Sequence, residues 1–308
     1  MLQANTIPYE EIQLPLLQEK GVRLTVKRLD QVHEQASGNK FFKLKYNLEE
    51  AKKQGKTKVL TFGGAFSNHI YATAAAAQAE GLSAIGIIRG EETLPLNPTL
   101  AFAQAAGMQL QYMDRSSYRT KHSEEILEML RKQWGDFYMV PEGGTNALAI
   151  QGTCEILETG DEKYSHIACS IGTGGTFAGL AGSIHSNQTL WGFSSLKGDF
   201  IHKEIAGLLD TYGIKSAGKW TIFDRYHFGG YAKFYEELLA FMRGFFEQTG
   251  IPLDPVYTGK MAYGLIQEIQ SGSLKEGSHV LLIHSGGLQG IQGFEWMYGK
   301  KLYDSLSM

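Results

Sequence analysis

Short apolar runs alternate along the chain with longer amphipathic runs, and this alternation constrains the fold most. Strands are predicted at residues 58–62, 83–88, 110–113, 137–140, 165–170, 190–193 and 280–284. Helices are predicted at residues 67–80, 98–106, 123–134, 177–184, 201–209 and 235–248. Helical crossovers between successive strands place those strands parallel to one another. The sequence therefore predicts an α/β protein with mostly parallel sheets.

Composition excludes several classes of protein. The 308 residues are 43% hydrophobic and 20% charged, as in ordinary globular proteins, and the net charge of −3 gives no field for a nucleic-acid partner. The longest run of small apolar residues, 72–77, is too short to cross a bilayer, so no membrane association is expected. Two cysteines, no signal-peptide pattern and no histidine at ligand spacing predict a cytoplasmic protein without a metal site.

Glycine-rich segments follow several of the predicted strands, at residues 63–68, 143–146, 172–176 and 285–287. In open parallel sheets, ligands bind beyond the carboxyl ends of the strands, where glycine lets the backbone approach them. Four such junctions predict a composite cleft.

One junction has the composition of an anion-binding turn: Gly172, Thr173, Gly174, Gly175 and Thr176. Successive N–H groups at a helix start attract a phosphate, and the two threonine hydroxyls add donors. The segment lacks the Lys-Ser/Thr of a Walker motif, and Phe177 replaces the third glycine of a dinucleotide fingerprint. A purely structural glycine turn is the alternative.

Lys40 follows a Gly-Asn pair and precedes two phenylalanines. An amine against apolar surface is shifted toward its neutral form, which a Schiff-base lysine requires. The alternative is a solvated surface lysine whose aromatic neighbours face the core.

Ser67 stands where the predicted helix 67–80 needs an N-cap, and the same helix start could receive a substrate carboxylate. His69, in its first turn, is either a substrate contact or an ordinary surface residue.

Six segments, taken in order, resemble the fold type II family of pyridoxal 5′-phosphate (PLP) enzymes. They are residues 38–44, 63–69, 141–148, 172–176, 254–260 and 284–287, which read GNKFFKL, GGAFSNH, PEGGTNAL, GTGGT, DPVYTGK and HSGG. They are most similar to the branch that contains D-cysteine desulfhydrase and 1-aminocyclopropane-1-carboxylate deaminase. The resemblance implies a two-domain, three-layer α/β/α fold of the tryptophan synthase β type. Residues 1–53 and 143–308 would form the large domain, and residues 54–142 a small inserted one.

The resemblance also implies a role for each matching position. Lys40 would carry PLP and move the substrate proton, Lys43 would lie near the phosphate, and Gly172–Thr176 would cradle it. Asn68 would bind the pyridoxal 3′-oxygen, and Ser67, Asn68 and His69 would bind the substrate carboxylate. Ser67, Tyr257 and Tyr231 would face the reacting part of the substrate. Thr258 and Ser285 would lie beside the cofactor ring. The expected partners are a small amino acid and a second copy of the chain in a homodimer.

Two positions separate the activities within this branch. The deaminase has Glu where this chain has Thr258, and Leu where it has Ser285. The hydroxyl residues resemble the desulfhydrase, which implies α,β-elimination of D-cysteine to pyruvate, sulfide and ammonia. The alternatives are the deaminase reaction, which gives 2-oxobutanoate and ammonia, a β-replacement or racemase reaction, and a PLP-binding protein without turnover.

Overall fold

The structure is a computed structural model that describes residues 2–304. Its strands are β1 (Tyr9–Ile12), β2 (Arg23–Lys27), β3 (Lys58–Gly63), β4 (Ser83–Arg89), β5 (Met108–Met113), β6 (Tyr138–Val140), β7 (His166–Ile171), β8 (Thr189–Ser194), β9 (Lys219–Phe223) and β10 (His279–Ile283). Its helices are α1 (Pro15–Glu19), α2 (Asn39–Lys53), α3 (Asn68–Ala79), α4 (Pro98–Ala105), α5 (Arg115–Arg119), α6 (Glu124–Trp134), α7 (Ala147–Cys154), α8 (Gly175–Ser183), α9 (Phe200–Thr211), α10 (Glu236–Thr249), α11 (Thr258–Gln270) and α12 (Gln289–Tyr298).

The strands form two sheets. The larger has the order β1-β2-β10-β7-β8-β9, and the smaller has the order β5-β4-β3-β6. Every neighbouring pair is parallel except β1 and β2, which are antiparallel. The predicted α/β class with parallel sheets is therefore confirmed, with one antiparallel edge strand added.

Helices cover both faces of each sheet. One hydrophobic cluster takes side chains from both sheets, such as Val59 and Leu281, and packs them against α2, α3, α7 and α8. The residues that follow, Leu60 and Leu282, belong to two other clusters. Because successive strand residues point to opposite faces, these clusters lie on the outer sides of the sheets. Each sheet thus lies between layers of helices.

Most predicted elements agree with the structure to within one or two residues, and the helix predicted at residues 67–80 is α3. The sequence analysis missed nine elements: β1, β2, β9, α1, α2, α5, α7, α11 and α12. All four strands of the smaller sheet come from residues 58–140, within the predicted insertion of residues 54–142. No helix in residues 2–304 is long and apolar enough to cross a membrane.

Candidate active site

A cavity of about 640 Å³ lies between the ends of the two sheets. It is lined by the last residue of β4, by segments that follow β3, β6, β7, β8 and β10, and by the segments before α10 and α11. The start of α2 and one face of α12 complete the lining. Most of the predicted site residues line it: Lys40, Lys43, Ser67, Asn68, His69, Gly172, Thr173, Gly174, Thr176, Tyr231, Tyr257 and Ser285. Gly175 and Thr258 are not among the lining residues. The junctions predicted to form one composite cleft are thus brought together here.

Lys40 enters the cavity from the first turn of α2. Its position depends on a close backbone contact, since a Cβ on Gly38 would overlap the Ser285 carbonyl, and Gly38 has a φ of 69°. The N–H of Asn39 donates to the same carbonyl, at 3.1 Å. The Lys40 Nζ donates to Asn39 Oδ1 at 3.1 Å. Desolvation lowers the pKa of Lys40 to about 8, against the opposing attraction of the Asp254 carboxylate.

The loop between β7 and α8 presents free donors to the cavity. The backbone N–H groups of Gly174, Gly175 and Thr176 donate no hydrogen bond to any group in residues 2–304. Gly174 reaches this geometry with a φ of 82°, which favours glycine. Unpaired N–H groups at a helix N-terminus form a binding site for an anion.

Lys43 reinforces this loop from the opposite side. Its Nζ, which is almost fully buried, donates to the Gly143 carbonyl at 3.0 Å, Thr145 Oγ1 at 3.0 Å and Thr173 Oγ1 at 3.2 Å. Desolvation, followed by the charge of Lys40, holds the pKa of Lys43 well below its usual value. An anion here would raise that pKa again, because an opposite charge favours the ammonium form. We call Lys43, Thr145 and Gly172–Thr176 the anion wall.

The start of α3 forms a second side of the cavity. Ser67 is the N-cap, as predicted, and its Oγ accepts from the N–H groups of His69 at 3.2 Å and Ile70 at 3.3 Å. Because the oxygen accepts these bonds, the hydroxyl proton remains available for a ligand. The Asn68 amide makes no hydrogen bond within the described chain, and Asn68 Nδ2 would lie 2.6 Å from a Cβ on Gly287. These donors suit a carboxylate or a phenolic oxygen.

His69 lies deeper than a surface residue would. Its Nε2 is 2.7 Å from Thr61 Oγ1, which itself donates to the Val140 carbonyl at 2.8 Å. We therefore place the proton on Nε2, which leaves Nδ1 as a bare acceptor without a partner in residues 2–304. Desolvation, with Lys40 and Lys43 adding to it, holds the pKa of His69 well below its usual value. As a neutral acceptor, His69 suits an N–H or O–H donor better than a carboxylate, and its substrate contact stays a prediction.

Tyr257 and Tyr231 lie together at the cavity, with ring centroids 6.1 Å apart. Tyr257 is held by Asp254, whose carboxylate accepts from the N–H groups of Val256 at 2.8 Å and Tyr257 at 2.9 Å. Desolvation, followed by the charge of Tyr231, raises the pKa of Tyr257 well above its usual value, so its hydroxyl keeps its proton. Tyr231 is 46% exposed.

Thr258 and Ser285 have different surroundings. The Thr258 hydroxyl is fully buried, donates to Asp254 Oδ1 at 2.8 Å and accepts from the Asp254 N–H at 2.8 Å. Its proposed contact with a cofactor ring stays a prediction. Ser285 lines the cavity, and its Oγ is 3.1 Å from Ser170 Oγ. A glutamate in place of Thr258 would put a second carboxylate beside Asp254.

Sequence reasoning missed several lining residues, including Arg89, Glu142 and Met297. Arg89 ends β4, so the rule that ligands bind beyond strand ends applied to it as well. Arg89, Tyr231 and Met297 are exposed lining residues, and we call them the cavity mouth. In residues 2–304 no three His, Cys, Asp or Glu side chains are grouped to hold a metal ion.

The chain is similar to known proteins over most of its length. The sequence model described as "Pyridoxal-phosphate dependent enzyme" matches residues 6–286. A Pyrococcus horikoshii protein, provisionally assigned as a 1-aminocyclopropane-1-carboxylate deaminase, is 34% identical over 94% of this chain and 90% of its own. The mitochondrial bifunctional D-cysteine desulfhydrase/1-aminocyclopropane-1-carboxylate deaminase of Arabidopsis thaliana is 32% identical over 88% of this chain and 74% of its own.

A solved structure is similar across the whole fold. The crystal structure of an ACC (1-aminocyclopropane-1-carboxylate) deaminase homologue has a TM-score of 0.78 and 29% identity, covering 98% of this chain and 93% of that one. The resemblance inferred from six short segments, and the fold type that it implied, are confirmed. The chain belongs to the family of pyridoxal-phosphate dependent enzymes, and its cofactor is PLP.

Proposed function

We propose that the enzyme catalyses the α,β-elimination of D-cysteine, or of a related small amino acid, to pyruvate, sulfide and ammonia. The main support is the arrangement of Lys40, Ser67 and Tyr257 around one cavity whose other side is the anion wall. The unpaired N–H groups of Gly174, Gly175 and Thr176 fit the cofactor phosphate. Lys43 beside them is the matching cation. Lys40, whose pKa is about 8, fits the lysine that carries the cofactor.

Each residue has a defined task in this proposal. When bound, PLP supplies an electron sink for the negative charge that forms as the substrate α-carbon loses its proton. The Lys40 amine accepts that proton, because burial brings its pKa close to neutral pH. The Ser67 hydroxyl and the Asn68 amide hold the carboxylate with neutral donors. The raised pKa of Tyr257 keeps its hydroxyl protonated, so the hydroxyl can donate a hydrogen bond to the departing thiolate and stabilise its charge.

A product assay tests the proposal. Purified holoenzyme is incubated separately with D-cysteine, L-cysteine and 1-aminocyclopropane-1-carboxylate, and sulfide, pyruvate and 2-oxobutanoate are measured. We expect sulfide and pyruvate in equal amounts from D-cysteine and little keto acid from the cyclopropane. If sulfide forms from L-cysteine alone, the enzyme acts on the L enantiomer and not on the D enantiomer as proposed. If no substrate gives a product, the proposed elimination is wrong.

The second candidate is the deaminase reaction on 1-aminocyclopropane-1-carboxylate. It is supported by the names of similar proteins, since the Arabidopsis relative carries both activities in its name. Thr258 and Ser285, in place of the Glu and Leu of the deaminase, favour the desulfhydrase. A threonine hydroxyl leaves the cofactor ring less electron-demanding than a carboxylate would. A less electron-demanding ring suffices for the elimination, because a thiolate is a good leaving group.

We also propose a cytoplasmic homodimer built from the two domains given above. Cys154 and Cys169 are both free thiols, which fits a reducing compartment. Confinement of the smaller sheet to residues 58–140 fits a domain inserted at residues 54–142. Light scattering of the purified protein measures the mass of the assembly. Fractionation of the source cells tests the location.

A further inference from the structure

Arg89 is a cation at the cavity for which the proposed elimination has no use. It ends β4 and lines the cavity, and its side chain is exposed. Its Nη2 would lie 3.7 Å from a Cβ on Gly64, so it reaches over the turn that leads to Ser67. In residues 2–304 its guanidinium has no hydrogen bond or ion pair, and it lies over the Tyr118 ring, 5.9 Å from the ring centroid.

The nearby carboxylates are engaged elsewhere. Glu142, which also lines the cavity, forms an ion pair with Lys121 at 3.1 Å. Asp254 is almost fully buried and accepts hydrogen bonds from three backbone N–H groups and the Thr258 hydroxyl. Arg89 therefore offers its five N–H donors to whatever enters the cavity.

The anionic groups of PLP and of a simple amino acid already have donors in the cavity. The anion wall, with Lys43, provides for a phosphate. The Ser67 hydroxyl and the Asn68 amide provide for the α-carboxylate. A guanidinium is best matched by a planar carboxylate or a phosphate, to which it can donate two parallel hydrogen bonds. Since the phosphate and the α-carboxylate have other donors, the group that Arg89 can bind is an acid on another part of the substrate.

We propose that Arg89 forms a subsite for amino acids whose β-substituent carries an acidic group. This inference rests on the proposed elimination, because the β-substituent is the group that leaves. The apolar lining residues Phe66, Phe294 and Met297 can accommodate the carbon chain between the two charged ends. The substrate class is then an amino acid with a dicarboxylate-like or phosphate-like β-substituent, with D-cysteine as a smaller substrate.

Two matched substrates test the subsite. O-acetyl-D-serine and O-succinyl-D-serine both lose the α-proton and a carboxylate, and both leave pyruvate and ammonia after addition of water. Only the succinyl compound carries a second acid. We expect kcat/KM to be at least about tenfold higher for the succinyl compound, a difference of about 1.4 kcal/mol. Arg89→Met should abolish that preference, while activity on O-acetyl-D-serine and D-cysteine changes less than about twofold.

The control is Arg115→Met, an exposed arginine at the start of α5 that does not line the cavity. It should keep the succinyl preference. If Arg89→Met lowers kcat/KM equally for all three substrates, the proposal is overturned, because Arg89 would then bind the α-carboxylate that they share. An unchanged preference in Arg89→Met would overturn it as well.

A binding measurement separates this inference from the proposed reaction. Rapid mixing of the holoenzyme with each compound, followed by the cofactor absorbance before product accumulates, gives dissociation constants separately from turnover. If no compound yields pyruvate, the elimination is wrong, yet tighter binding of the succinyl compound that Arg89→Met removes would still support the subsite. Equal dissociation constants in the native enzyme would reject it.

Discussion

The anion wall and the cavity mouth line one cavity, but they are built in opposite ways. In the anion wall, Lys43 bonds to three oxygens, and Thr145 Oγ1 lies 2.7 Å from Thr173 Oγ1. At the cavity mouth, Tyr231 is 46% exposed, Met297 is 48% exposed, and Arg89 forms no ion pair with any carboxylate of residues 2–304. The first region is arranged before a ligand arrives. At the cavity mouth, side chains remain exposed or without an ion pair, so they are free to bind a ligand.

This difference indicates how the enzyme divides its tasks. A site with fixed donors loses little entropy when it binds, and it discriminates sharply against changes in shape. A mouth with free side chains tolerates variation in its ligand. We therefore expect substitutions near the anion wall to affect cofactor retention, and substitutions at the mouth to affect the choice of substrate. The predictions below test that division.

Replacement of Lys40 should have the largest effect. Lys40→Ala removes both the cofactor amine and the base, so we expect kcat to fall by about a thousandfold or more. Borohydride reduction of the native holoenzyme followed by peptide mapping should place the pyridoxyl group on Lys40. Lys45→Ala, on the same helix and paired with Glu155 at 2.7 Å, is the control and should retain activity. A label on Lys43, Lys45 or Lys260 would refute the assignment.

The second-largest effect is expected from Gly175→Ala, which should weaken PLP binding. A Cβ there would lie 2.8 Å from Thr145 Oγ1 and 3.1 Å from Lys43 Nζ, so both groups must move. We expect the dissociation constant of PLP to rise about 10-fold to 100-fold, equal to about 1.4 to 2.8 kcal/mol. Titration of the apoenzyme measures it. Gly207→Ala, in α9, should leave the affinity unchanged, because outside its own stretch of helix the new Cβ would have no atom of residues 2–304 within 4 Å.

Capture of PLP by the apoenzyme should depend on pH through Lys40. Only the neutral amine attacks the cofactor carbonyl, so the rate should fall about tenfold for each pH unit below the pKa. The midpoint should lie near a pH of about 8, because burial lowers the Lys40 pKa to that value. Asp254→Asn removes a charge that stabilises the ammonium, so its midpoint should move to lower pH. A native midpoint near 10.5, the ordinary value, would mean that Lys40 is solvated.

Ser285→Leu should have the smallest effect. The hydroxyl faces the cavity, and its loss changes the polarity there and the bond to Ser170. We expect the ratio of kcat/KM for D-cysteine to that for 1-aminocyclopropane-1-carboxylate to fall about three- to tenfold.

Adding Thr258→Glu should lower this ratio of kcat/KM further. The new glutamate also places a carboxylate beside the buried Asp254, so thermal unfolding should show a loss of stability. If the native enzyme already prefers the cyclopropane, these positions do not decide the chemistry.

The sequence predicted the elements with strong periodicity and the residues in distinctive local patterns. Ser67 was identifiable as an N-cap because a strand, a glycine turn and an alanine-rich helix surround it. The helix that carries Lys40 was missed, since the GNKFFKLK segment lacks an N-cap side chain and starts at a glycine held by Ser285. That contact spans nearly the whole chain, and local patterns cannot reveal it.

Pairwise contacts within the site were also beyond the sequence. Asp254 belongs to a segment that was singled out, but its role in holding Tyr257 and Thr258 depends on loop geometry. The bare Nδ1 of His69 depends on Thr61 and Val140, which belong to two different strands. Most residues of the edge strands β1 and β9 are exposed or half-buried, without the alternation of a half-buried strand, so their apolar pattern is weak.

The strand order of the larger sheet has a consequence for synthesis on the ribosome. β2 pairs with β10, so residues 23–27 find their parallel partner only after residue 283 has been made. The smaller sheet draws all its strands from residues 58–140 and is complete much earlier. Folding during translation should therefore begin in the middle of the chain, while the amino-terminal strands wait with an unpaired edge. Until β10 arrives, Ser285 and Gly286 are missing beside Lys40, and the nascent chain cannot yet assemble its cofactor site.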